Sequence, residues 1–554
     1  MVAAKQEKRD VVLNEQIVPV HAAIARGLHD LNVETVFGLM GDSNLFLVDA
    51  FVRQFGGRYV PATHEANAVL MALGHALTTG QVGVATVTQG PAVSNAITPL
   101  IDGVKGMVPI VLLCGDTPMV DPDHNQTVAQ RALIEATGAG FERLRSPETV
   151  SIDLAAAFRR AKIERRPIVF NMPTPMMWET TSYVAPKPIP RDAASAPAEG
   201  EAIDDAIGIL AAARFPLILA GRGAVSSRES LVQLAERIGA PLATTLKAKG
   251  LFQGEPYNLG VFGTLSTPAA AAAISSADCI VACGAGLNRF TTARGGLLEG
   301  RRLIQIDDDP RQIGRRAQPD AAIVGNPGLV AQTFIGWLDE AEIPSSRATD
   351  TLDVEELKKP LDLPSEKNAP GTIDLSRALI RISEALGPDK LLVTDGGRFL
   401  NEAWTRVDVS GPQNILLTTN TGAIGLGVGY AIGAAVGRPD QPTMLVIGDG
   451  GLMMGGLAEL TTAVREKLNL IVVVCNDSAY GAEYVQFEDR QMDPSLSLFN
   501  WPSFAETAKA LGGKGVVATS MEELEQGLAM LEDRDGPLLI ELKLDPATVP
   551  RLHL

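Results

Sequence analysis

The chain is 554 residues long, room for about three or four domains, and is 46% hydrophobic but only 5% aromatic, a balance of small aliphatic residues that suits α/β layers. Its net charge of -17 excludes a basic stripe for nucleic acid or for an anionic membrane surface. The charged start MVAAKQEKRD has no apolar leader core, and no apolar run nears the ~20 residues of a bilayer span; Cys114, Cys279, Cys283 and Cys475 lie in apolar runs without the second Cys or His pair that zinc needs, so buried thiols in a soluble, cytoplasmic protein are expected.

Three blocks follow in chain order, at residues 1–190, 200–345 and 371–554. In the first, Val18 to Leu31 has the spacing of an amphipathic helix, and Thr35-Val-Phe-Gly reads as a strand ending in Gly41-Asp42-Ser43-Asn44. Arg58-Tyr-Val-Pro is a second strand ending in His64-Glu65, with a helix over Ala66 to Thr79. Buried strands at Gln81 to Val87 and Met107 to Cys114 stop at the polar turns Thr88-Gln-Gly-Pro91 and Gly115-Asp-Thr-Pro118. A polar loop carrying His124 and Gln130 precedes a helix over Ala132 to Gly138. The Pro- and Ala-rich stretch Ala185 to Gly200 is a linker. The second block alternates helices with strands at Pro216-Leu-Ile-Leu-Ala, Asp278-Cys-Ile-Val-Ala and Arg302 to Asp307, and a polar linker, Ser346 to Gly371, follows it. Such alternation predicts parallel sheets with helices on both faces.

The third block holds the densest chemistry. Thr443-Met-Leu-Val-Ile-Gly448 and Leu470-Ile-Val-Val-Val-Cys are β-branched runs that end in Asp449-Gly450-Gly451 and in Asn476-Asp477-Ser-Ala479-Tyr480-Gly481, with helical spacing over Leu457 to Lys467 between them. A strand, helix, strand crossover makes the two strands parallel, which puts Asp449 and Asp477 at the carboxyl edge of one sheet, where doubly wound folds bind ligands. Two acidic oxygens beside a Gly-rich turn suit a small hard cation such as Mg2+, and the backbone N–H groups of that turn suit a diphosphate. A further strand, Leu391 to Thr394, leads into the phosphate-type turn Asp395-Gly-Gly397-Arg398, and Thr421-Gly422-Ala-Ile424-Gly425 is a Gly-rich segment.

Gly-Asp-Gly followed downstream by Asn-Asp resembles the signature of the thiamine diphosphate (ThDP) enzymes of the acetolactate synthase and 2-oxo acid decarboxylase group, and the resemblance covers nearly the whole chain. It implies an α/β fold of three doubly wound parallel-sheet domains: a pyrimidine domain, a central domain and a diphosphate domain. It also implies ThDP held through Gly397, Arg398, Gly448, Asp449, Gly450, Gly451 and Tyr480. The metal would be Mg2+, bound by Asp449, the carbonyl of Ala479 and either Asn476 or Asp477, with the following Tyr480-Gly481 favouring Asp477. Ile424 would wedge under the cofactor, and the Gly422 carbonyl would accept from its amine. His64-Glu65-Ala66 is similar to the family's N-terminal Glu motif, where the Glu shares a proton with the pyrimidine ring.

Gly41-Asp42-Ser-Asn-Leu resembles the turn of pyruvate and indolepyruvate decarboxylases that carries a catalytic Asp, though it is also a good turn sequence. Glu483 stands six residues beyond Asp477, the spacing of the second catalytic acid in those decarboxylases; as a plain feature it is a first-turn helix acid. His124 lies where family members place substrate-facing residues, or else is a solvated loop histidine. The central block lacks the Arg-Phe-Asp-Asp-Arg run of FAD-bearing members, so it is read as structural, without FAD.

The resemblance implies a ThDP- and Mg2+-dependent enzyme that cleaves a 2-oxo acid or related C–C bond by decarboxylation through a C2-enamine, in a homodimer or homotetramer with active sites at the subunit interface. The alternative is a carboligase of the acetolactate synthase kind, which joins the enamine to a second carbonyl compound; a noncatalytic protein of the same fold would require loss of Glu65 or of the Gly-Asp-Gly metal site, and both are present. The substrate is a small 2-oxo acid or ketone that the sequence does not name.

Overall fold

The computed structural model describes residues 17–121, 123–186, 196, 199–363 and 368–550; the start MVAAKQEKRD and most of the linker from Ala185 to Gly200 lie outside them. The chain divides into two compact units, Met1–Pro190 and Arg191–Leu554.

The first unit begins with β1 (Ile17–Pro19). Its sheet contains β2 (Thr35–Gly38), β3 (Arg58–Pro61), β4 (Gly83–Val87), β5 (Ile110–Asp116), β6 (Gly140–Arg143) and β7 (Ile168–Pro173), and β8 (Thr180–Ser182) closes the unit. The six strands β2 to β7 are all parallel, in the order β3-β2-β4-β5-β7-β6. The helix expected from Val18 begins at Val20 instead, because Pro19 biases the residue before it to extended backbone, and β1 pairs antiparallel with β8. The helix Glu65–Thr79 starts where the His64 ring accepts from the Ala66 N–H and ends at Gly80 in the left-handed region. The helix expected at Ala132 runs over Gln130–Ala136.

The second unit holds two sheets. The central one is built from β9 (Pro216–Ala220), β10 (Leu242–Thr244), β11 (Asn258–Val261), β12 (Cys279–Cys283), β13 (Arg302–Asp307) and β14 (Ala321–Val324), in the order β11-β10-β9-β12-β13-β14. The last contains β15 (Leu391–Thr394), β16 (Ile415–Leu417), β17 (Thr443–Gly448), β18 (Leu470–Asn476), β19 (Lys514–Ala518) and β20 (Leu538–Lys543), in the order β16-β15-β17-β18-β20-β19. Both sheets are parallel throughout. Their inner strands β9, β12, β15 and β18 are buried along their whole length, as strands covered by helices on both faces must be. Expectation and structure therefore agree on three doubly wound parallel sheets.

Between the two sheets of this unit lies the short turn Leu246–Ala248, followed by Lys249. Lys247 Nζ donates to Asn420 Oδ1 at 2.8 Å, and Lys249 Nζ donates to the carbonyls of Trp404 and Val407 at 2.6 and 2.7 Å. Burial pushes Lys249 down to about 8, so its ammonium relies on those carbonyls.

The segment after β17 differs from the expected turn and long helix. It forms a helix at Asp449–Gly455, and a second helix covers only Leu460–Arg465. The glycines allow the first helix to lie against the Gly425 backbone: a Cβ at Gly455 would stand 2.2 Å from the Gly425 carbonyl oxygen. All four cysteines are free and buried, on β5, β12 and β18.

Candidate active site

In the last sheet the strand order reverses at β15, and the loops leaving the carboxyl ends of β15 and its neighbour β17 flank the place where open α/β sheets bind ligands. Asp449 follows β17 and Asp477 follows β18, its parallel neighbour. They are 2% and 8% exposed. Asp449 Oδ1 accepts from the Gly450 N–H at 2.7 Å, while Oδ2 is buried with no hydrogen-bond partner among the described residues. Burial pushes Asp449 up to about 7, with the charge of Asp477 adding to it. Asp477 is raised by burial to about 6 against the opposing Arg398 guanidinium, which lies 4.0 Å away. Two carboxylates that burial makes costly to ionise suit a neighbouring cation. Among the described residues no group of three or more His, Cys, Asp or Glu side chains gathers, so a cation here would complete its shell with carbonyl or phosphate oxygens, as Mg2+ does.

The neighbouring loops close on this pair. Asp395, fully buried, accepts from the Gly396 N–H at 2.8 Å and from the Gly425 N–H at 2.7 Å, and takes a 3.3 Å bond from the Thr418 hydroxyl. Burial raises it to about 6 despite those bonds. The Ile424 side chain lies over Gly396, where a Cβ would be 3.0 Å from Ile424 Cγ2. Gly422 and Gly425 have φ of 77° and 83°, left-handed values that favour glycine. A Cβ at Gly450 would meet the Tyr480 ring at 2.5 Å, and one at Gly397 would meet the Phe399 ring at 2.1 Å. The structure therefore brings Gly396, Gly397, Ile424, Gly448 to Gly451 and Tyr480 together as a backbone-lined cradle beside the carboxylate pair.

Two residues are engaged within the protein itself. Asn476 Oδ1 accepts from the Ser478 N–H and hydroxyl at 3.1 and 3.2 Å, and its Nδ2 donates to Glu541 at 2.7 Å. Arg398 donates to the carbonyls of Pro546, at 2.9 Å, and Val549. Ala479 follows Ser478, which sits at φ 55°, and its N–H donates to Asp477 Oδ1 at 3.2 Å. Glu483 is exposed in the first turn of the helix Gly481–Asp489.

The first unit ends its strands differently. Ser43 and Thr88 hydroxyls are 3.1 Å apart, Thr88 donates to Gln89 Oε1 at 2.7 Å, and Gln89 donates to Gln126 at 2.6 Å. Gln130 accepts from the Gly90 N–H at 2.5 Å and donates to Asn171 at 2.9 Å, which in turn donates to Asp116 at 2.8 Å. His124 Nδ1 accepts from the Gln126 N–H at 3.2 Å, and Asp42 stands exposed at the tip of the first loop. The half-buried Glu65 accepts from Asn95 Nδ2 at 2.9 Å, beside the exposed cap His64.

Family models for the thiamine pyrophosphate enzymes match along the chain: the N-terminal TPP binding domain at residues 19–133, the central domain at 203–334 and the C-terminal TPP binding domain at 395–542. The chain belongs to the thiamine pyrophosphate enzymes. Among curated relatives, the acetolactate synthase of Mycobacterium leprae is 27% identical over 93% of this chain and 85% of its own length. The acetolactate synthase isozyme 2 large subunit of Escherichia coli is 27% identical over 95% of this chain and 94% of its own length. The probable acetolactate synthase large subunit of Methanocaldococcus jannaschii is likewise 27% identical, over 95% and 92%.

Three residues of this thiamine pyrophosphate enzyme escape a reading by motif. Asp395 holds Thr418 and Gly425, which lie 23 and 30 residues further along the chain. Trp501 lies close enough to lower the pKa of Asp449, yet neither its Nε1 nor Asp449 Oδ2 makes a well-formed hydrogen bond. Glu541 is fully buried on β20. The signal for two of them was present, as acids inside or at the end of apolar strands; for Trp501 there was none.

Proposed function

We propose that this chain is a ThDP- and Mg2+-dependent carboligase, which takes a 2-oxo acid, releases CO2 and joins the remaining fragment to a second carbonyl compound. The observation that carries the cofactor reading is the buried Asp449 and Asp477 pair, with Asp449 Oδ2 left unpaired at the carboxyl edge of β17. Acetolactate synthases related over 93 to 95% of the chain support carboligation over simple decarboxylation.

Asp449, Asp477 and the Ala479 carbonyl would hold Mg2+, which neutralises the diphosphate. Asp477 is preferred to Asn476 because both ends of the Asn476 amide are engaged with Ser478 and Glu541. The Gly448 to Gly451 backbone and Gly397 would receive the diphosphate, while Arg398 braces the Asp477 loop from behind. Ile424 would support the bent cofactor, and the Gly422 carbonyl would accept from its amine. Glu65, oriented by Asn95, would share a proton with the pyrimidine ring. When bound, ThDP supplies a nucleophilic carbon that attacks the 2-oxo carbonyl and takes up the electron pair as CO2 leaves. Since Glu65 and Asp449 belong to different parts of the chain, the resemblance to family members that share sites between subunits supports a homodimer or homotetramer.

The second reading is a decarboxylase that releases the free aldehyde. It is favoured by Asp42 and Glu483, two acids able to deliver the final proton. Product analysis separates the two. Purified protein with ThDP, Mg2+ and a panel of aliphatic and aromatic 2-oxo acids, with and without an acceptor aldehyde, is expected to yield CO2 and 2-hydroxy ketones or acetohydroxy acids. Free aldehyde as the sole product would establish the second reading, and no CO2 from any acid would refute both.

A further inference from the structure

Asp477 and Ala479 occupy a loop with a left-handed residue, Ser478 at φ 55°, between them. For a serine that conformation costs of order 1 kcal/mol and needs external support. The support runs through one side chain. Asn476 Oδ1 takes both the N–H and the hydroxyl of Ser478, which leaves the Asn476 Nδ2 group to find an acceptor in the sheet. It finds Glu541 Oε1 at 2.7 Å, on the adjacent parallel strand β20.

Glu541 is a fully buried carboxylate, 0% exposed, in a strand that is otherwise apolar up to its last residue, Lys543. Four donors converge on it. Oε1 takes Asn476 and Lys543 Nζ, the latter at 2.6 Å, and Oε2 takes the Ser503 hydroxyl at 3.2 Å and the Ala505 N–H at 3.1 Å. Burial pushes its carboxyl up, and the bonds from Lys543, Ala505 and Asn476 more than offset this, so it lies below the usual glutamate value. A group that only accepts, facing four donors, is chemically matched in its ionised form.

The Ser503 and Ala505 bonds extend the reach of Glu541 to a second wall of the same site. Just upstream, Phe499 stacks on Trp501 with ring centroids 4.7 Å apart and meets Tyr480 at 4.5 Å. The Phe499 N–H donates to the Ser478 carbonyl and the Tyr480 N–H to the Ser497 carbonyl, at 2.8 and 2.9 Å. Trp501 is the residue beside Asp449, and Tyr480 is the one against Gly450.

We infer that Glu541 is a positioning residue for cation binding, acting through Asn476 to hold the Asp477 to Ala479 loop and through Ser503 and Ala505 to hold the Phe499 to Trp501 segment beside it. The inference rests on the cofactor reading above. It makes the Asn of the Asn-Asp pair a relay from a buried carboxylate in the next strand, with Asp477 alone of the two facing the cation.

The test uses the full-length chain with saturating ThDP, Mg2+ titrated by calorimetry, tryptophan emission followed alongside and the melting temperature of the cofactor-free protein measured separately. Glu541→Gln turns one acceptor into a donor against existing donors and is expected to weaken Mg2+ affinity at least ~10-fold, the scale of supports behind metal ligands. Asn476→Asp, which sets a second carboxylate against Glu541, is expected to do the same; were Asn476 itself the ligand, that change would keep or strengthen binding. The double variant Asn476→Asp/Glu541→Gln exchanges donor and acceptor between the two residues at the same total charge, but Lys543, which shares Oε1, must turn away from the new amide; it should bind Mg2+ more tightly than either single variant. A folded Glu541→Gln protein with wild-type Mg2+ affinity overturns the inference, and so does a double variant as weak as the sum of the singles. If Glu541→Gln does not fold, Asn476→Ala, which leaves Glu541 its other three donors, decides together with Asn476→Asp: unchanged Mg2+ affinity in Asn476→Ala overturns the inference, a ~10-fold loss in both variants upholds it, and a loss in Asn476→Ala with retained affinity in Asn476→Asp makes Asn476 the ligand and overturns it. If the wild-type chain itself binds neither Mg2+ nor ThDP, the cofactor reading fails and this inference falls with it.

Discussion

The first sheet and the last share one strand order, with the first strand second from one edge and the fifth and sixth exchanged at the other end, yet their carboxyl edges differ in chemistry. In the first, hydroxyls and amides of Ser43, Thr88, Gln89, Gln126, Gln130 and Asn171 form a mostly neutral chain of hydrogen bonds. In the last, the equivalent ends carry the buried carboxylates Asp395, Asp449 and Asp477. A mostly neutral edge, where Asp116 is tied to Asn171 and Asp42 is exposed, leaves Glu65 as the acid suited to an uncharged heteroaromatic ring that must exchange a proton. An edge of crowded acids suits a cation and, through it, a diphosphate. On the proposed function, one architecture would serve two tasks through the handful of residues that end its strands, in keeping with fold alone not specifying function.

Substitutions on the two edges should therefore fail in different ways. The largest effect is expected from Asp449→Ala, which removes a candidate metal ligand: Mg2+-dependent ThDP binding should fall by more than the ~10–100-fold typical of residues behind the ligands, as read by calorimetry. Retained affinity would erase the acidic edge as a metal site. On the neutral edge, Glu65→Gln should leave ThDP bound while turnover falls roughly 10²- to 10⁴-fold, the range of a lost acid-base group. Loss of binding equal to the loss of turnover would remove the distinction between the edges.

Backbone crowding provides a smaller effect on each side. Gly90 has φ 65°, and a Cβ there would stand 2.0 Å from the Gln126 carbonyl oxygen; at Gly455 a Cβ would stand 2.2 Å from that of Gly425. Gly90→Ala and Gly455→Ala should each cost about 1–3 kcal/mol of stability, but only Gly455→Ala should also weaken diphosphate binding. Thermal melts with and without ThDP separate the two.

The smallest effect is the pH dependence, which should have opposite signs. Burial holds His75, in the first unit, down at about 4 from 6.5, so its contribution is present above pH 6.5 and is lost as pH falls towards 4. Asp395 is raised from 3.8 to about 6, so its contribution is present below pH 4 and is lost as pH rises through 6. His75→Leu should flatten the acid limb of the melting curve and leave the neutral limb unchanged; a flattening of both would show that one group governs the whole profile.

Much of this was legible in the sequence, for a physical reason. Strands buried on both faces must be continuous apolar runs, so the abrupt Gly, Asp and Asn at their ends stand out, as at Gly448 and Asn476. Glu65 stands out only through the resemblance of His64-Glu65-Ala66 to a family motif; as a plain feature it is a first-turn acid of a helix that starts shortly after β3. What could not be read depended on partners far along the chain. The choice between Asn476 and Asp477 turns on Glu541, 65 residues downstream, and Asp395 gained its role from Gly425, 30 residues away. The first helix starts two residues later than its amphipathic spacing predicts, because the local restriction before Pro19 and the pairing with Thr180–Ser182 decide the conformation of Val18.

The cysteines give the three sheets a built-in readout. Cys114 lies on β5, Cys279 and Cys283 on β12, and Cys475 on β18, so every sheet carries its own thiol on an inner strand. Burial pushes all four thiols up, and the thiolate is the reactive form. An alkylating reagent should therefore find the native protein inert and mark each sheet only when it opens. Peptide mapping of the labelled sites at rising denaturant would then report in which order the three layers come apart, from one unmodified chain.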